Sequence, residues 1–303
     1  MQNHKYLKQA ELLLRILPYV AREEVFALKG GTAINFFWRD LPRLSVDIDL
    51  AYVKVEDREL SLSTISTRLV SIEEKIRNIF PQVHITKKKD RDKIIGLIIN
   101  SGGSVVKIEV NTIIRGTVFP IVNKNLSKKV EQQFELALAV NTLSIEDLYG
   151  GKICAALDRQ HPRDLFDVKF LFDNEGLTEN IRKAFIVYLI SHNRPMVELL
   201  NPGIQDIKQV FENEFSGMTT EKVNLKDLID TRVELIKKIK TSLTEKETRF
   251  LLSFKNRKPQ WNLLGVDDIK NLPGVRYKLM NLTRMNPEKH KQAYEKLEKY
   301  LLK

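Results

Sequence analysis

The chain has a single cysteine, Cys154, in 303 residues. That excludes a disulfide framework and a cysteine-built zinc cage, and it makes a reducing cytosol the simplest compartment. No run of about 18 consecutive apolar residues occurs, so no transmembrane helix and no membrane partner are expected. The apolar stretch near the N-terminus is broken by Lys8, Glu11 and Arg15, unlike the core of a secretory signal. Internal repeats, low-complexity tracts and the G-x-x-x-x-G-K-[ST] spacing of a P-loop are all missing. Acidic charge is scarce in the last quarter. From Arg232 to Lys303, 18 Lys and Arg stand against 8 Asp and Glu, a balance of +10 within a net charge of +11. Such asymmetry is the footprint of a polyanion partner, or equally of a well-solvated Lys-rich helical face. Phe254, Trp261 and Tyr277 lie among these basic groups. Rings there suit unpaired RNA bases better than a bilayer, and they would also suit a core.

What is present is an ordinary globular composition, 43% hydrophobic and 29% charged, on a chain long enough for two domains. Apolar spacing predicts a helix from Tyr6 to Leu17, stopped by Pro18. A strand from Val25 to Leu28 runs into a Gly30-Gly31 turn, and a helix opens at Thr32 and continues to Trp38. Residues Ser45 to Val53 alternate as a strand does, with Ser45, Asp47, Asp49 and Ala51 on one face. A helix over Leu60–Phe80 precedes strands at Val83–Thr86, Ile94–Asn100 and Val105–Ile114, the last two joined by an SGGS turn. After about Thr142 helices dominate: Ser144–Arg159, Pro162–Asn174, 178–192, 204–214, 225–240 and 287–302. The division expected is a mixed α/β domain over 1–142 and a helical domain with a basic C-terminal region over 143–303.

The chemistry concentrates in two stretches. Strand periodicity aims Asp47 and Asp49 the same way, within reach of a shared cation, and magnesium commonly takes one or two carboxylates plus substrate phosphates. Glu109, in another alternating strand, is the candidate third ligand. Gly30-Gly31-Thr32 would let phosphate oxygens approach the backbone closely. Each signal has a plain alternative, a solvated strand face or a simple turn. Farther on, GKICAALDRQHPRDLFDV puts Lys152 and Arg159 seven apart on one helix, and Asp164 and Asp167 three apart on the next. Carboxylates in such apolar company need cationic partners, and Lys152, Arg159 or Arg163 would serve; a purely structural ion network and a catalytic one read alike here.

Taken together, L-K-G-G-T-A (28–33), R-L-S-V-D-I-D-L (43–50), K-I-E-V-N (107–111) and K-I-C-A-A-L-D-R-Q-H-P-R-D-L-F-D (152–167) resemble the AbiEii/AbiGii toxin family of nucleotidyltransferases. That family is related to the MenT toxins and the DNA polymerase β-like superfamily. A weaker echo lies in W-N-L-L-G (261–265) and Y-K-L-M-N-L (277–282). The resemblance implies an α+β fold: a polymerase β-like lobe with a mixed sheet and flanking helices, then an α-helical lobe, with an active site between them. It implies catalytic roles for Asp47, Asp49, Glu109, Lys152, Asp164 and Asp167, with Asp47, Asp49 and Glu109 holding two Mg²⁺ ions. The nucleotide-binding set it implies is Gly30, Gly31, Thr32, Ser45, Lys152 and Arg159. The implied reaction transfers NMP from an NTP to RNA, at the 3′ end of tRNA, as a toxin paired with a cognate antitoxin. A protein or small-molecule acceptor, or a non-catalytic RNA-binding protein of the same fold, stands as the alternative. Two departures are visible: many polymerase β-like enzymes have Ser where Thr32 stands and a shorter stretch before the first Asp, and the third acid is Glu109 rather than Asp.

Overall fold

Between Phe26 and Thr142 the chain forms seven strands: β1 (Phe26–Lys29), β2 (Asp47–Tyr52), β3 (His84–Asp90), β4 (Lys93–Ser101), β5 (Ser104–Asn111), β6 (Val122–Asn125) and β7 (Ala139–Thr142), of which β2 and β5 follow the expected alternation. The computed structural model describes residues 4–302. The strands form one mixed sheet in the order β3-β4-β5-β2-β1-β7-β6. β2 runs antiparallel to β1 and parallel to β5, while β3, β4 and β5 form an antiparallel meander. Helices α1 (His4–Ala21), α2 (Gly30–Ala33), α3 (Arg58–Ile79) and α4 (Lys128–Phe134) accompany them. α3 packs on β4 and α1 on β5. The residues this seals include Leu97, Ile99, Val106 and Ile108, all without solvent exposure.

The second part is helical. It comprises α5 (Ile145–Asp158), α6 (Pro162–Asp173), α7 (Glu179–Ser191), α8 (Met196–Leu200), α9 (Lys208–Val210), α10 (Leu225–Ser242), α11 (Glu245–Lys255), α12 (Pro273–Arg284) and α13 (Pro287–Leu301). The chain divides into two compact units, Met1–Leu148 with Glu214–Lys222, and Tyr149–Asn213 with Val223–Lys303. The short return segment 214–222 belongs to the first unit because Met218 O accepts from Leu44 N at 2.7 Å and Thr219 Oγ1 donates to Pro42 O at 2.6 Å.

Several boundaries differ from expectation. α1 runs through Pro18 to Ala21, since proline costs the helix one donor but keeps a helical φ, and Val20 still buries beyond it. The helix after β1 opens at Gly30 rather than Thr32, and residues Ile34–Trp38 widen into a π-turn. β5 stops at Asn111, whose side-chain oxygen accepts from the Ile113 and Ile114 amides and turns the chain. The expected helix over 204–214 is only α9 followed by a π-turn at Phe211–Phe215. β6, β7, α4, α11 and α12 were not foreseen; a four-residue strand such as VNKN has no legible period. In the basic quarter, Phe254 is fully buried and Trp261 packs on Phe250 and Phe254, at centroid distances of 5.9 and 6.2 Å. Tyr277 alone of the three rings stands exposed.

Gly96 is the one glycine inside a strand of the meander, and the packing explains it. A Cβ there would meet Ile108 O at 2.7 Å, backbone that cannot swing aside, and the Lys88 Cβ lies 3.6 Å from the same point. Gly96→Ala is expected to destabilise the first unit by about 1–3 kcal/mol, the usual scale of overpacking. Urea unfolding of the full chain checks it, with Gly203→Ala as the comparison, since a Cβ there meets no neighbour and the backbone has no positive φ.

Candidate active site

Pairing register, more than any single motif, assembles the acidic face. Asp49 is paired with Lys29 on β1 and with Glu109 on β5; Glu109 is paired with Gly96 on β4, and Gly96 with Lys88 on β3. Cross-strand partners point to the same side of a sheet, so these five positions form one row over five strands. Asp47, two residues before Asp49, shares its face and is paired with Lys107. Every acid of the row thus has a lysine as cross-strand partner or near neighbour, which offsets the mutual repulsion of three carboxylates. Lys88 reaches over the bare Gly96 to Glu109, with Nζ 2.6 Å from Oε1.

The turn after β1 closes over the same face. Gly30 has φ +71°, a left-handed conformation that favours glycine, and a Cβ there would strike the Asp49 carboxylate. At Gly31 a Cβ would lie 2.5 Å from Arg43 Nη2 and 3.1 Å from Ser45 Oγ. Gly30 is required by its backbone conformation, while at Gly31 a Cβ would have to displace the ends of two side chains. Thr32 is buried; its hydroxyl donates to Asp47 O at 2.5 Å and lies 2.9 Å from Ser45 Oγ. That hydroxyl fastens the start of β2, fixing the backbone that carries both aspartates. Arg43, which sequence reading passed over, is 2% exposed, and its Nη1 donates to Leu44 O. The long stretch before Asp47 is thereby held by its own arginine and by segment 214–222.

Among the described residues, no group of three or more His, Cys, Asp or Glu side chains is gathered closely enough to hold a metal ion. Glu109 is engaged by Lys88. Asp47 and Asp49, half-buried on one strand face, match the oxygen donors that a hard divalent cation takes from protein when substrate phosphates supply the rest.

The second unit carries the other predicted residues. Lys152 on α5 is 7% exposed, and its Nζ lies 2.8 Å from Asp164 Oδ1 and 3.0 Å from Asp167 Oδ2. Arg159 grips Asp164 with two bonds, Nε to Oδ2 at 2.6 Å and Nη2 to Oδ1 at 3.1 Å. α6 is set for this by its start: Pro162 occupies the first turn and His161 Nδ1 accepts from Arg163 N. Burial pushes the Asp164 pKa up, but the charge of Lys152 and the bonds from Arg159 outweigh it and hold the carboxyl below the usual range. Lys152, Arg159, Asp164 and Asp167 thus form one network, the ion-paired arrangement that their spacing allowed.

A turn of small residues against a pair of strand carboxylates, on a mixed sheet with helices, is the framework of a nucleotidyltransferase. The family model described as "Nucleotidyl transferase AbiEii toxin, Type IV TA system" matches residues 11–269. Among solved structures, the nucleotidyltransferase toxin MenT4 from Mycobacterium tuberculosis H37Rv has a similar fold, with a TM-score of 0.57 at 14% identity over 90% of this chain and 92% of that one. No curated protein sequence matches the chain. The chain belongs to the AbiEii nucleotidyltransferase toxin family. Membership implies an NTP substrate and, from the type IV toxin–antitoxin assignment, an antitoxin partner. Among the described residues no helix is long and apolar enough to cross a membrane.

The depressed Asp164 carboxyl has a direct consequence for stability. Its contribution is present above the ordinary carboxylate pKa and is lost as the pH falls through the lowered folded value. Asp164→Asn should therefore flatten the acid limb. The gap in stability between about pH 7 and about pH 3, read from urea unfolding, is expected to be smaller than in the wild type.

Proposed function

We propose that this family member transfers a nucleoside monophosphate from an NTP to a hydroxyl of RNA, at the 3′ end of tRNA, and that the capped end halts translation in the cytoplasm. The acceptor oxygen attacks the α-phosphorus, the bond to the bridging oxygen breaks, and pyrophosphate leaves with the β- and γ-phosphates. The acceptor proton passes to a carboxylate of the Asp47, Asp49 and Glu109 set. Gly30 and Gly31 admit the phosphates to the backbone, while Thr32 and Ser45 keep β2 in position. Lys152, positioned by Asp164, Asp167 and Arg159, offsets negative charge on the triphosphate. Magnesium, bound by Asp47 and Asp49 with Glu109, would supply charge neutralisation at the reacting phosphate. The observation that carries this reading is the shared row of Asp49 and Glu109 with Asp49 lying over Gly30. The RNA acceptor draws its support from the basic C-terminal quarter.

Purified protein incubated with labelled NTPs, magnesium and tRNA tests it directly. Asp47→Asn and Asp49→Asn should each cut label transfer at least about a hundredfold, the scale of losing a few kcal/mol of charge stabilisation. Equal labelling by wild type and Asp47→Ala, or no labelling of any RNA, would remove the proposal. A gentler effect is expected at Lys88, which competes for Glu109. Lys88→Met should lower the magnesium concentration for half-maximal activity by up to about fivefold, as befits an exposed pair. Unchanged magnesium dependence would show that Glu109 stands outside the metal site.

A further inference from the structure

The helical unit holds a second cluster of charge, apart from the Lys152 network in its residues and partners. α8, the end of α11 and one face of α13 enclose a cavity of about 300 Å³. Lys255, Lys289 and Lys296 line it together with Gln292. Lys289 and Lys296 are seven apart on α13, so one helical face presents both, with Ala293 between them leaving the floor low. His290 Nε2, 2.7 Å from Lys255 O, and Tyr300, which donates to Leu200 O at 2.7 Å, fix α13 against α11 and α8.

Lys255 is the telling residue. It is 6% exposed, and among the described residues its ammonium has neither a hydrogen bond nor an ion pair. The same holds for the Lys289 and Lys296 ammonium groups. The one carboxylate at the cavity, Glu198, is engaged by Arg194 at 3.3 Å. Positive charge gathers here: Lys278, whose ammonium donates to the carbonyls of His192, Asn193 and Arg194, is still pushed down to about 8, by burial and then by Lys255. Burial, and then Arg257, also hold Lys255 below its ordinary value. Met196, Val197 and Leu297 make part of the wall apolar, which strengthens any charge interaction inside. A carboxylate would answer one of three positive charges. A phosphate offers more charge and more acceptor oxygens, and lysine meets it as a point charge.

We propose that this pocket binds a phosphate group, supplied by the backbone of an RNA strand. The RNA source rests on the acceptor reading above; the phosphate chemistry does not. Thermal unfolding of the full chain tests it without NTP or magnesium, so the result is separable from transfer activity. Inorganic phosphate and a short oligoribonucleotide are titrated in separate arms, with chloride at matched ionic strength as the reference. Both should raise the wild-type midpoint. Lys289→Gln/Lys296→Gln and, separately, Lys255→Met should weaken both responses by about tenfold per lysine removed. Lys246→Gln/Lys270→Gln, equal in charge and exposed elsewhere, should keep them. Because the readout is a ligand-induced shift, a variant of altered intrinsic stability remains informative. No phosphate response, or one equal in the pocket variants, overturns the site. A phosphate response lost in those variants while the oligonucleotide response persists overturns the RNA source.

Discussion

Parallel pairing of β2 with β5, with β1 closing the other side of β2, is the constraint on which the candidate site depends. Asp47 and Asp49 share a face by backbone geometry alone, but Glu109 joins them only because the register sets Asp49 opposite it. A slip of one residue would send Glu109 into the packed face and bring Ile108 or Val110 out. The buried residues on β5 and β2, Ile108 and Ile48 among them, make such a slip costly. Hydrophobic packing on one side of the sheet therefore holds the chemistry on the other.

The same row shows how a sheet accommodates three acids before any substrate arrives. Lys29 and Lys107 stand as cross-strand partners, and Lys88 crosses the space left by Gly96 to reach Glu109. Lys88 and Lys107 are exposed, and a pair such as Lys88 with Glu109 can exchange for another cation at little cost, since exposed pairs are weak in water. In the second unit the balance is the reverse. Lys152, Asp164 and Asp167 are almost fully buried, so their mutual compensation is a condition of folding as much as of any chemistry.

Much of this was legible in advance because it follows from local periods. The alternation around Asp47 and Asp49, the break at Gly30-Gly31, and the helical spacing of Lys152 with Arg159 all lie within one element or one turn. Arg43 and Lys88 escaped notice for a different reason. Arg43 sits in an irregular loop whose fixing partners, Met218 and Thr219, come from far downstream. Lys88 lies in an exposed, charge-rich strand that reads as solvated surface, and only Gly96 on the next strand hinted at a close crossing. The rings of the basic quarter were ambiguous because buried and stacking aromatics look alike in a sequence; packing sent Phe254 to the core and set a half-buried Trp261 against it.

By itself the sequence determined the change from strands to helices after about Thr142, the pairing of carboxylates on one strand face, the glycine turn beside them and the positive balance of the final quarter. These rest on residue type and on the fixed repeats of strand and helix. Tertiary structure alone decided that Glu109 stands beside Asp49, that segment 214–222 returns to brace the loop before β2, and that Lys255 is buried while Lys289 and Lys296 are exposed. Each of those depends on which distant segments pack together. That choice is made by the summed burial of many side chains, and no local period records it.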